Sequence, residues 1–299
     1  MSWRIVWETA HCFAEFHGSQ NRKTVSCSPT SSLAPFERGR WRIGSLAYRL
    51  IDDGGSGGVR SAVETRHGFA MNLDLAQFVD RTIYCTGEWE PLETGLIGDL
   101  LEPGDGFVDV GANIGYFTLL ASRRVGPTGR VIAVEANPRT FRLLEANVRL
   151  NGCANVALHH VAAGEAAGFA TLFEREAGNA GGDQVDFTGD GKIEVKRLDA
   201  LVGEQPVRLI KLDIEGAEAK ALRGASGLLE RADAPDLVFE FTPKFLAGMG
   251  DDPRELIGFL QRLGYRLEVI ANAGRSPAGV GIYAATQTYL YCTKISNVG

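Results

Sequence analysis

From Gly106 onward the sequence alternates short apolar runs with stretches whose apolar residues recur at helical spacing, and this rhythm restricts the fold more than any other feature. It predicts strands over 107–110, 131–135, 156–161, 209–212 and 237–241, with helices over 116–124, 139–150, 218–229 and 253–263. Uninterrupted apolar strands need cover on both faces, and strands that alternate with helices pair in parallel, so the expected class is a doubly wound, Rossmann-like α/β fold. Two further strands over 265–270 and 288–292, read as a hairpin, make a seven-stranded mixed sheet with helices on both faces.

Upstream this rhythm is missing. Residues 1–65 mix aromatic, polar and Ser/Pro-rich stretches and read as an N-terminal accessory region, ahead of a Rossmann-like domain over 66–299. That domain opens on an antiparallel pair, with one strand near 69–75 and another near 82–84. Pro91 then starts a helix striped by Leu92, Leu96, Leu100 and Leu101. An insertion over about 171–195, carrying Gly178, Gly181, Gly182, Gly189 and Gly191, reads as a β excursion with a mobile loop able to cover a site.

A chain of 299 residues, 44% of them hydrophobic, buries a full single-domain core. Its formal charge of −6, from 31 basic and 37 acidic residues, carries no electrostatic footprint for nucleic acid or an anionic membrane, which favours a small-molecule partner. Cys12, Cys27, Cys85, Cys153 and Cys292 are scattered and never form a C-x-x-C pair, so neither a disulfide framework nor a structural zinc is expected, and a reducing cytoplasm fits best. Glu8, His11 and Glu15 interrupt any signal-like apolar stretch, and no segment reaches membrane-spanning length.

The candidate site lies in FVDVGANIGYFT, where Asp109 ends a strand and Gly111, Asn113 and Gly115 lead into a helix. Glycines permit a tight turn and close backbone approach, and a helix N-terminus presents N–H groups to a carboxylate. Asp109 would accept from an ammonium group, so together they match a zwitterionic amino-acid tail. Glu135, closing the next strand in VIAVEANP, would accept ribose hydroxyls, with Asn137 nearby. S-adenosylmethionine carries both groups. The turn lacks the G-x-G-x-x-G spacing that packs a pyrophosphate, which places NAD second.

Two more acids close the fourth and fifth strands: Asp213 in LIKLDIEGAE and Glu240 in LVFEFTP. A sulfonium already activates its methyl group, so the protein's task is to align an acceptor and remove its proton, and Asp213 or Glu240 suits that task. Glu218 reads as a first-turn helix residue and Lys211 as a surface group at a strand edge. A divalent cation held by Asp213 and Glu240 ranks below direct proton transfer, and no metal ligand is assigned.

YCTGEWEP, FVDVGANIGYFT, VEANP with LLEANVRLNG, VKRLDAL, IKLDIEGAE and VFEF follow one another over residues 68–293, and this order resembles the FkbM-type methyltransferases. The resemblance implies a class I fold, S-adenosylmethionine as donor, and O-methylation of sugars, glycosylated metabolites or polyketide products. By position it implies that Asp109, Gly111, Asn113 and Gly115 form the cofactor loop, Glu135 the ribose acid and Asp213 the rim acid. It also places Glu88 and Glu90 in an element over the cofactor, and Glu90 joins the cofactor-binding set. A nicotinamide oxidoreductase and a non-catalytic cofactor-binding module are the competing readings.

Overall fold

The computed structural model describes residues 58–295 apart from 174, 176–177, 189–190 and 273, so most of the expected accessory region lies outside the described residues. The elements run β1 (Val59–Glu64), β2 (Ala70–Asp74), α1 (Phe78–Thr86), α2 (Pro91–Leu100), β3 (Gly106–Val110), α3 (Tyr116–Val125), β4 (Arg130–Val134), α4 (Pro138–Leu150) and β5 (Val156–His159). The insertion follows as β6 (Ala162–Ala163), β7 (Gly168–Phe173), β8 (Gln184–Asp186) and β9 (Ile193–Lys196). Then come α5 (Leu198–Val202), β10 (Leu209–Leu212), α6 (Glu218–Arg223), α7 (Ser226–Glu230), β11 (Asp236–Phe241), α8 (Pro243–Gly248), α9 (Pro253–Arg262), β12 (Tyr265–Ala271), β13 (Gly274–Pro277) and β14 (Thr288–Lys294).

The main sheet has the order β13-β12-β14-β11-β10-β3-β4-β5. Strands β5, β4, β3, β10 and β11 are parallel, and β14 slots antiparallel between β11 and β12. This is the mixed Rossmann-like sheet expected, with eight strands rather than seven, because β13 folds back on β12 as an added edge. After β5 the chain returns across the sheet to place β10 beside β3, and the crevice at the C-terminal ends of those neighbours is where such sheets receive ligands.

Side chains alternate between two cores. Val108, Val110, Ile210, Leu212, Phe239 and Phe241 pack with Leu222, Leu228, Leu256 and Leu260 on one face. On the other, Phe107, Val131, Ala133, Leu209 and Val238 meet Leu119, Leu144, Ile83 and the β1–β2 hairpin residues Met71 and Leu73. Asn137 and Asp252 cap α4 and α9 by accepting the Arg139 and Arg254 N–H groups, each followed by proline at the first helical position.

Two expected elements differ. Residues 82–84 are helical, not a strand: Val79 and Ile83, four residues apart, bury one face of α1, and Gly87 (φ +75°) caps it in the left-handed conformation. The partner of β2 is instead β1, which ends five residues before the expected pair's first strand near 69–75. The single helix over 218–229 is divided into α6 and α7 around Gly224 and Ala225. A Cβ on Gly224 would sit 2.1 Å from the Gly164 carbonyl oxygen, so the insertion's root approaches too closely for any other residue there.

Candidate active site

Asp109, on β3, is 0% exposed. Its Oδ2 accepts the Thr118 hydroxyl at 2.6 Å, while Oδ1 is buried with no hydrogen-bond partner. Burial pushes its carboxyl up, and the Lys211 ammonium pulls it back.

The turn that follows is shaped by packing as well as by bending. Gly111 has φ +80°, and a Cβ there would lie 2.0 Å from the Asp213 carbonyl oxygen; Gly115 has φ +96° and would meet Leu144 at 2.7 Å. The missing side chains therefore let strand tips and helices close on one another. The Gly111 and Ala112 N–H groups donate to the Val134 carbonyl, and Asn113, at φ +50°, donates its N–H to Glu135 Oε2 at 2.7 Å. Glu135 Oε1 accepts the Asn137 N–H at 2.7 Å. Glu135 thus ties the first glycine turn to the tip of β4, and burial raises its carboxyl pKa. Asn137 is engaged twice: it caps α4, and its Nδ2 donates to Asp183 of the insertion.

Lys211 is not a surface group. It sits on the central strand β10, 2% exposed, with its ammonium 3.3 Å from Asp213 Oδ2 and 4.7 Å from the centre of the Phe117 ring. Burial alone would lower its pKa, yet the Asp213, Asp109 and Glu90 carboxylates outweigh that and hold it above the usual lysine value. Its signal in the sequence is a lone lysine inside an apolar central run, a position that only a buried counter-charge satisfies.

Across the crevice, Glu240 is 3% exposed; Gln287 donates to its Oε1, and its Oε2 has no partner. Glu90, at φ +41° before α2, accepts the Tyr289 hydroxyl on Oε1, and its Oε2 is also buried without a partner. Burial and then the Asp213 charge drive the Glu240 and Glu90 carboxyl groups well above their ordinary range. Glu93 rises to about 7, mainly by burial. The structure thus places Glu90 with the rim acids Asp213 and Glu240, and brings in Lys211, which the sequence reading put at the surface, together with Glu93 and Tyr289, which it left out.

Glu218 accepts the Ile214 and Gly216 N–H groups at 3.1 and 3.2 Å, and so shapes the turn that presents Asp213 and Glu215. The insertion lies across the same rim. Gln184 Nε2 donates to the Glu215 carbonyl at 2.5 Å, the Ala180 N–H donates to Gln77 Oε1, and Gly181 packs against the Asn113 side chain.

The methyltransferase FkbM domain matches residues 109–267, a span that opens on Asp109 and covers more than half of the chain. The chain belongs to the FkbM methyltransferase family. All four strand tips described above fall within the family's match. Among solved structures, the FkbM methyltransferase of Methylobacillus flagellatus KT shares 18% identity over 71% of this chain and 52% of that chain, with a TM-score of 0.42. The chain therefore spans about half the length of that relative. An S-adenosylmethionine-dependent O-methyltransferase from Thermotoga maritima shares 15% identity over 82% of this chain and 96% of that one (TM-score 0.42). Fibrillarin from Aeropyrum pernix, with natively bound S-adenosyl-L-methionine, shares 16% over 68% and 74% (TM-score 0.41). No curated protein matches the sequence. The sheet order is that of a mixed Rossmann-like α/β sheet, and among the described residues no helix is long and apolar enough to cross a membrane.

Proposed function

We propose that the protein transfers a methyl group from S-adenosylmethionine to a hydroxyl of a small acceptor: a sugar, a glycosylated metabolite or a polyketide-type product. The observation that carries this reading is the unpartnered Asp109 Oδ1, sealed at the switch point between β3 and β10, with Glu135 at the adjacent strand tip. A buried carboxylate oxygen left without a donor is costly, and an α-ammonium group would satisfy it. Glu135 already accepts two backbone N–H groups and keeps lone pairs for ribose hydroxyls. When bound, the cofactor supplies a methyl group activated by its sulfonium. This chain's residues then orient the acceptor and take its proton: Asp213, 22% exposed at its side chain, and the deeper Glu240 are the bases in reach of the rim.

Calorimetry with S-adenosylhomocysteine and NAD tests the cofactor, and labelled S-adenosylmethionine with a panel of glycosides and alcohols tests transfer. Binding of S-adenosylhomocysteine alone, with label on oxygen that disappears in Asp213→Ala while binding persists, is the expected result. Tighter binding of NAD would move the protein to the oxidoreductase reading.

A further inference from the structure

The rim is short of positive charge. One oxygen from each of Asp213, Glu215 and Glu240 lies within 4.8 Å of the other two. Glu90 faces the same cluster, for its carboxyl feels the charges of Asp213 and Glu93. Against these stand Lys211, which Asp213 shares with Asp109, and Arg175, 3.7 Å from Glu215 and 40% exposed at its side chain. Carboxylates this close repel strongly away from bulk water. Two buried oxygens on the same rim, Glu240 Oε2 and Glu90 Oε2, have no donor at all, and that points to a ligand rather than to an internal network.

We infer that Asp213, Glu215 and Glu240 form a site for a hard divalent cation, which would hold an acceptor bearing oxygens on neighbouring carbons. Hard cations take six or more oxygen ligands, so three carboxylates leave positions for water and for two acceptor oxygens. The fold delivers the three from separate places: Asp213 leaves the end of β10, Glu215 is turned inward by its left-handed backbone (φ +55°) before Gly216, and Glu240 stands on β11. This inference rests on the methyltransferase reading, because it assigns the neighbouring crevice at Asp109 to the cofactor and this cluster to the acceptor.

Calorimetric titration of the full chain with Mn²⁺ alone, with and without S-adenosylhomocysteine, tests it. One Mn²⁺ per chain should bind, and Glu215→Gln and Glu240→Gln should each weaken it by about tenfold or more, as loss of one charged oxygen ligand does. S-adenosylhomocysteine affinity should stay within about twofold in both variants, which also shows that they fold. Absence of Mn²⁺ binding in the unsubstituted protein, or equal affinity in all three proteins, overturns the cation site and leaves the methyltransferase reading standing. Mn²⁺ binding that both variants lose, in a protein that never binds S-adenosylhomocysteine, supports the cation site and overturns the methyltransferase reading instead.

Discussion

Lys211 and Asp109 are register partners on the adjacent parallel strands β10 and β3, and both are sealed from solvent. Neighbours in a parallel ladder direct their side chains to the same face, so the ammonium acts by its charge on a carboxylate whose Oδ1 accepts no hydrogen bond. Lys211→Met removes the charge that Asp109, Asp213 and Glu90 share. Breaking a buried pair on one side costs about 3–5 kcal/mol, so the melting temperature should fall by on the order of 10 °C. An unchanged melting temperature would show that the acids do not depend on this lysine.

Glu135 joins the glycine turn after β3 to the tip of β4, so under the proposed function its removal should act on cofactor binding. Glu135→Ala deletes the acceptor of the Asn113 and Asn137 N–H groups along with the two expected ribose contacts. Each charge-assisted bond contributes about 1.5–3 kcal/mol, so affinity for S-adenosylhomocysteine should fall on the order of 100-fold. Thermal shift reads this directly: the ligand should stabilise the unsubstituted protein and leave the variant's melting temperature where it was.

Asp80 provides a pH test away from the site. It is buried on α1, where it accepts the Asp74 N–H at 2.6 Å, and burial raises its carboxyl to about 7. Below about pH 4 it is protonated whether the chain is folded or not, and its contribution to stability is fully present. As pH climbs toward 7 the unfolded chain ionises first, and that stability is lost. Asp80→Asn keeps the oxygen that accepts from Asp74 and removes the titration. The melting temperature of the variant relative to the unsubstituted protein should therefore climb between pH 5 and pH 8, two values bracketing the folded group at about 7. A difference that stays flat with pH would mean that Asp80 ionises normally.

Gly111 and Gly152 separate crowding from backbone strain. Both have positive φ, +80° and +62°, but a Cβ at 152 meets nothing within 4 Å, whereas one at 111 meets the Asp213 carbonyl at 2.0 Å. Gly152→Ala should cost only the left-handed strain, about 1–2 kcal/mol. Gly111→Ala adds a steric clash and should cost at least about 2 kcal/mol more, read as the gap between the two melting temperatures. Equal losses would show that the tips of β3 and β10 can part freely.

What the sequence determined by itself is what local pattern can encode. Apolar runs without alternation marked the parallel strands, and Asn137–Pro138 and Asp252–Pro253 marked helix starts, since caps and periodicity act within a few residues. The places of Asp109, Glu135, Asp213 and Glu240 at or beside strand ends were legible because apolar runs and the turns after them mark where strands stop. Residues 82–84 misled because a short, β-prone run carries no helical signal until Val79 and Ile83 have a core to face. Edge strand β13 depends on β12 being there to receive it. Lys211 became a buried counter-charge, and Glu215 came beside Glu240, only through the return of the chain to lay β10 between β3 and β11. Register across a crossover is decided by packing among distant segments, and no spacing along the chain records it.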